Sequence, residues 1–89
     1  MALMVTRHKV RDYNHWKNFF AKGMADAANW GMSNPRVFRS SEDPNELVVL
    51  IDLANIERAK TFMGKPEVAQ IMQDAGVLDR PDWYYLNPA

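Results

Sequence analysis

Two histidines, three tryptophans, three tyrosines and a handful of arginines are the side chains through which this 89-residue chain could do chemistry. His8 leads them. It falls in the run Leu-Met-Val-Thr-Arg-His-Lys-Val, residues 3–10, which reads as a strand with Met4, Thr6, His8 and Val10 on one face. An imidazole in mostly apolar surroundings can take a proton from an activated C–H or O–H near neutral pH and return it. The competing reading is a structural histidine, hydrogen-bonded to backbone or to Asp12, or one half exposed at the strand end. His15 lies off the apolar stripe of the helix that follows, where it is solvated or a neighbour of Asp12. The Asp12–His15 pair lacks the third ligand that a metal site needs, so no metal is expected.

Trp16 and Phe20 stand at helical spacing, which suits core packing. It also suits an indole and a phenyl ring lining a pocket for a planar ligand. Trp83, Tyr84 and Tyr85 form the last apolar run, and a phenol there can polarise a ligand carbonyl or serve an interface. Thr6, Trp16, Phe20, Trp83 and Tyr85 are therefore the candidate ligand contacts, with His8 the candidate base. Arg36 and Arg39 fall on opposite faces of one strand, close in sequence to the acidic residues Glu42 and Asp43. An arginine reaching a cavity would hold a carboxylate or an enolate.

These residues need a scaffold, and the length allows one small domain spanning 1–89. There is no cysteine, which removes disulfides, thiolate metal sites and thiol nucleophiles. Eleven basic residues balance eleven acidic ones, which argues against a polyanion partner. The longest aliphatic run, Leu47 to Ile51, is far short of the about 20 residues of a membrane span. Arg7 follows the first apolar stretch instead of preceding it, the reverse of a secretory signal, so a cytoplasmic location is expected.

After the first strand, Asp12 occupies the N-cap position of a helix whose stripe is Tyr13, Trp16, Phe20, Met24 and Ala27, with Gly31 as its stop. A second strand is expected over 35–40, a turn at 41–45, and the best strand of the chain over 46–53. Asn55 caps a second helix that breaks at Gly64-Lys65-Pro66; a short third helix runs to Ala75, and Gly76 ends it. Residues 82–87 form the last strand. The order β-α-β-β-α-β predicts an α+β fold, a ferredoxin-like sandwich with a four-stranded antiparallel sheet and helices on one face. Leu47-Val48-Val49-Leu50-Ile51 is apolar on both faces, while the helices can cover only one. A second copy of the sheet is the natural cover, so a homodimer is expected.

The motif His8-Lys9-Val10-Arg11-Asp12-Tyr13-Asn14-His15-Trp16 has the form H-x-V-x-D-Y-x-x-W. With Arg36–Ser40, Asp43–Glu46 leading into Val48-Val49-Leu50, and Ala75-Gly76-Val77, it resembles the small dimeric α+β barrel proteins. The nearest branch is the antibiotic-biosynthesis-monooxygenase-like group, often labelled cyclases. The resemblance covers residues 5–87. It implies paired sheets and a ligand cavity between each sheet and its helices. It also implies an activity drawn from cofactor-independent oxygenases of aromatic polyketides, polyketide cyclases, haem-degrading enzymes and muconolactone-type isomerases. No residue is placed as an obvious haem ligand, and the glycine-rich phosphate loops are missing, so no cofactor is expected.

RNA-recognition domains share the element order but stack bases on aromatics of the third strand. Here that strand, 46–53, has neither aromatic nor cation, so nucleic acid is not an expected partner. Two readings remain. One is an enzyme that abstracts a proton from a small planar or amphipathic molecule. The other is a non-catalytic, small-ligand-binding or stress-related protein that holds such a molecule in the same cavity.

Overall fold

A computed structural model of the chain describes residues 1–78 and 80–89. Its elements are β1 (Ala2–Lys9), α1 (Tyr13–Ala27), β2 (Met32–Arg39), β3 (Glu46–Leu53), α2 (Ile56–Met63), α3 (Pro66–Asp74) and β4 (Asp82–Leu86). The four strands form one antiparallel sheet in the order β2-β3-β1-β4. This is the ferredoxin-like arrangement that the element order predicts.

Local signals explain most boundaries. Asp12 is extended and its carboxylate accepts the backbone N–H groups of Asn14 and His15, which starts α1. Asn55 does the same for α2 by accepting from the N–H of Arg58. Pro66 opens α3, where its missing N–H has no helical partner to lose. Helix α1 stops earlier than Gly31, because Ala28–Trp30 tighten into a 3-10 turn before the chain reverses. Gly31 then adopts φ of 78°, and its carbonyl accepts from Ala54 N–H at 2.9 Å. A Cβ there would approach the Ala54 Cβ to 3.0 Å. Gly31→Ala is expected to cost about 1–3 kcal/mol, read from the shift of a urea midpoint.

Strand β2 begins at Met32, earlier than hydropathy suggests, because its register shifts between Ser33 and Arg36. The bulge carries Asn34 at φ 51° and then Pro35. It is pinned from β3: Asn34 Nδ2 donates to Asp52 Oδ2 at 3.0 Å, and Arg36 reaches Asp52 Oδ1 at 2.6 Å. The Asn34 hydrogen bond, then the Arg36 guanidinium, hold the Asp52 carboxyl below its ordinary pKa. Arg36 thus pairs across the sheet and not with the 41–45 turn. Arg39 lies over the Tyr13 ring at 4.1 Å and donates to the Pro44 carbonyl. It is Lys9 that faces Asp43, at 3.8 Å.

The two faces of β3 separate cleanly. Leu47, Val49, Ile51 and Leu53 point inward and are buried at 3% exposure or less. With Met4, Met32, Trp16, Ala59 and Phe62 they form the core. Val48 and Leu50 point outward and are half-buried, opposite Phe38, Arg7, Val5 and Arg36 of the neighbouring strands. Phe38, Tyr84 and Leu86 are exposed, Phe38 and Tyr84 by 55%. At the rim, Arg7 pairs with Glu46 and lies 3.6 Å from Asp82.

Candidate functional site

The even-numbered residues of β1 face the helices, so Met4, Thr6 and His8 line the floor beneath α1. Between this floor and the three helices lies a cavity of about 110 Å³. Thr6, His8, Trp16, Phe20 and Trp83 all line it. Thr6 sits opposite Trp83 on β4 and Val49 on β3. Tyr85 also faces inward, opposite Met4, but it stands outside the lining, with the Lys60 ammonium 5.4 Å from its ring centroid. Burial pushes its phenol pKa up.

His8 is held by its strand and by the packing around it. On one side β1 pairs with Leu47 of β3. On the other, the β4 ladder ends at Arg7 opposite Asp82, and pairing resumes only at the Val10–Val77 bridge, reinforced by Leu78 N–H to Lys9 C=O at 2.9 Å. The imidazole lies 5.6 Å from Trp16, tilted by 51°. Trp16 in turn stacks on Phe20 at 4.7 Å. Indole and phenyl rings therefore fix one wall of the site beside the imidazole.

Both ring nitrogens of His8 are buried, and no protein group among the described residues hydrogen-bonds either one. A histidine satisfied by backbone or by Asp12 is not what forms: the Asp12 carboxylate caps α1, and His8 is half-buried as a residue with its ring nitrogens inside. An unsatisfied buried donor or acceptor costs about 1–3 kcal/mol, so such a group calls for an explanation. Burial lowers the His8 pKa, which keeps the ring neutral at physiological pH, with one nitrogen free to accept a proton.

This has a consequence for stability. With its folded pKa below the ordinary 6.5, His8 stays neutral in the fold while the unfolded chain takes up a proton as pH falls through that value. Stability linked to His8 is complete above pH 6.5 and declines below it until the folded pKa is passed. Tm is expected to drop between about pH 7.5 and about pH 5, and His8→Leu to remove that share of the drop, as scanning calorimetry can measure.

The rest of the wall is apolar. No lysine, arginine, aspartate or glutamate lines the cavity among the described residues, so neither Arg36 nor Arg39 supplies an anion contact there. Sequence reasoning missed the methionines. Met4, Met24, Met32, Met63 and Met72, five of the six in the chain, line the cavity. Their unbranched thioethers re-pack around ligands of different shapes. Six methionines in 89 residues was the available signal. His15 lies elsewhere: its Nε2 is 2.8 Å from the Asp74 carbonyl, joining the start of α1 to the end of α3. No group of three or more His, Asp or Glu suited to a metal occurs among the described residues.

The fold and cavity together define a class: a ferredoxin-like α+β protein with a methionine-lined pocket and one half-buried imidazole on its floor. Solved structures of the antibiotic-biosynthesis-monooxygenase type share that fold. A Bordetella bronchiseptica protein provisionally described as such a monooxygenase superposes with a TM-score of 0.79 at 11% identity, covering 99% of this chain and 96% of the other. A Caulobacter crescentus protein with the same provisional description gives 0.77 at 19%, covering 99% and 89%. SnoaB, a cofactor-independent oxygenase from Streptomyces nogalater, gives 0.73 at 14%, covering 99% and 94%. No protein-family model and no curated protein matches the sequence. No described helix is long and apolar enough to cross a membrane.

Proposed function

We propose that the protein acts without a cofactor on a small, planar, uncharged molecule bearing an acidic C–H or O–H, with His8 as the general base. The observation that carries this reading is the neutral imidazole of His8, both nitrogens unpartnered, on the floor of an otherwise apolar cavity. Similarity in fold to SnoaB, a cofactor-independent oxygenase, supports it.

The chemistry is simple to balance. The free ring nitrogen takes the substrate proton, and the electron pair left behind delocalises into an adjacent carbonyl as an enolate. Return of the proton at another carbon is an isomerisation, and attack of the carbanion on an internal carbonyl is a cyclisation. With O₂ as co-substrate, the carbanion adds oxygen to give a hydroperoxide. Loss of water from it, with cleavage of the O–O bond, leaves a new carbonyl and needs no external reductant. Thr6, Trp16, Phe20 and Trp83 hold the ligand; Tyr85 contributes from behind the lining if at all.

Exchange of the α-hydrogens of 2-indanone in D₂O, followed by NMR, tests proton abstraction without regard to the later steps. Exchange that the protein accelerates and His8→Ala abolishes is the expected result. Binding of 2-indanone with no accelerated exchange overturns the enzyme and leaves the second reading, a protein that binds planar molecules in the same cavity.

The unit is proposed to be a homodimer. The outward face of the sheet presents Val5, Val48 and Leu50 on its two central strands and Phe38, Tyr84 and Leu86 on its edge strands, with the charged pairs Arg7–Glu46 and Arg36–Asp52 beside them. An apolar centre with a polar rim is the anatomy of a specific interface.

A further inference from the structure

A second depression adjoins the first. It lies between α3 and the start of β4, measures about 310 Å³, and is lined by Ala69, Met72, Gln73, Val77, Pro81 and Trp83, with Met63 at its inner end. Four of these residues, Met63, Met72, Val77 and Trp83, also line the inner cavity. They are therefore a shared wall, one side chain thick. The register of β1 shows why an opening falls there. Among the described residues, pairing with β4 ends at Arg7–Asp82 and the next bridge is Val10–Val77, so His8 has no ladder partner on that side.

Volume makes the same point. An apolar cavity of roughly 150 Å³ takes a benzene ring. The inner space, at about 110 Å³, falls short of that, so it takes one small ring beside His8 only as the methionines give way. Together the two spaces reach about 420 Å³, within the roughly 300–1,000 Å³ of pockets that hold drug-sized molecules. Two of the four shared residues are methionines, which swing aside at little cost. Among the described residues the lining carries no charge, and the polar side chain that lines the outer space alone is the Gln73 amide.

Resting on the cavity reading above, we propose that the groove is the outer half of a two-compartment site. Its ligand has a planar ring that enters the inner cavity and an uncharged, mostly apolar tail that passes between Met72 and Trp83 to lie along α3. The occupant of the groove is thus the tail of the cavity's own ligand, and Ala69 and Gln73 set the length accepted.

Calorimetric titration of the whole protein with 4-methylphenol and 4-hexylphenol tests this, since both offer the same ring and only the second has a tail. The hexyl compound is expected to bind about tenfold or more tightly, from burial of its methylenes. Ala69 and Gln73 are exposed and line only the groove. Ala69→Trp and, independently, Gln73→Trp should fill it, erasing that advantage while leaving 4-methylphenol within about twofold of wild type. Binding of 4-methylphenol with no gain for the hexyl compound, or a gain that both variants keep, overturns the groove and leaves the inner cavity standing. Failure of both phenols to bind overturns groove and cavity together. A change in association state in the variants, with hexylphenol binding intact, assigns the groove to protein contact and also overturns the proposal. None of these outcomes depends on whether His8 acts as a base.

Discussion

His8→Ala is expected to reduce α-proton exchange by about 10²–10⁴-fold, the usual share of a positioned general base. His8→Leu should do the same, and the two variants separate function from folding. Neither nitrogen of His8 has a protein partner among the described residues, so removing the ring orphans no donor or acceptor. Leucine fills a similar volume with apolar atoms and relieves an unsatisfied buried group worth about 1–3 kcal/mol. His8→Leu is therefore expected to raise Tm at neutral pH while activity disappears. His8→Ala gains less, because it enlarges the cavity beside Trp16 and loses the ring contact at 5.6 Å. The pH profile supplies a further check. A base with a pKa lowered by burial stays active below pH 6.5, and the acid limb of the wild-type rate should lie under that value. Exchange that survives in His8→Leu, or a leucine variant that is markedly destabilised, would remove His8 from its role.

Neighbouring residues on one strand should give the second large effect. Val49 points into the core at 1% exposure, and Leu50 points outward at the centre of the uncovered face. A carboxylate at position 49 is buried without a partner, at a cost of several kcal/mol, which a domain of this size does not survive. Val49→Asp is expected to be unfolded by circular dichroism. Leu50→Asp leaves the core intact and places a charge in the proposed interface, so a folded monomer is expected by light scattering. The wild type should scatter as a dimer at micromolar concentration, its interface burying more than about 1,200 Å² in total. A wild type that is monomeric, or a Leu50→Asp variant that stays paired, counts against the sheet-to-sheet dimer.

Much of this was legible in the residues. Asp12, Asn55 and Pro66 mark helix starts because capping is local chemistry, decided within one turn. The two-period of 3–10 puts Met4, Thr6 and His8 on one face, as in the observed strand, since strand geometry leaves no other arrangement. The unbroken run of β3 reads as apolar on both faces with helices for one, and in the single chain Leu47, Val49 and Ile51 are buried under the helices while Val48 and Leu50 on the other face are half-buried. Other features depended on contacts distant in sequence. Whether His8 was satisfied could not be read, because its would-be partner Asp12 is diverted to a cap. The acidic turn lies near Arg36 and Arg39 in sequence, but the sheet register brings Asp52 to Arg36, while Arg39 meets that turn only at the Pro44 carbonyl and lies over Tyr13. The methionine wall was invisible for a similar reason: its members come from β1, β2 and all three helices, and no spacing links them.

The bulge in β2 bears on how many copies can gather. This strand is one of the sheet's two borders, where free main-chain groups invite a further strand to add on without limit. Pro35 withdraws an N–H from that border, Asn34 turns the backbone out of line, and the clasp to Asp52 keeps the kink from relaxing. The opposite border, β4, is only five residues long. Growth from border to border, the route to ribbons and fibrils, is thereby blunted on both sides, which leaves the outer face of the sheet for the single partner proposed above.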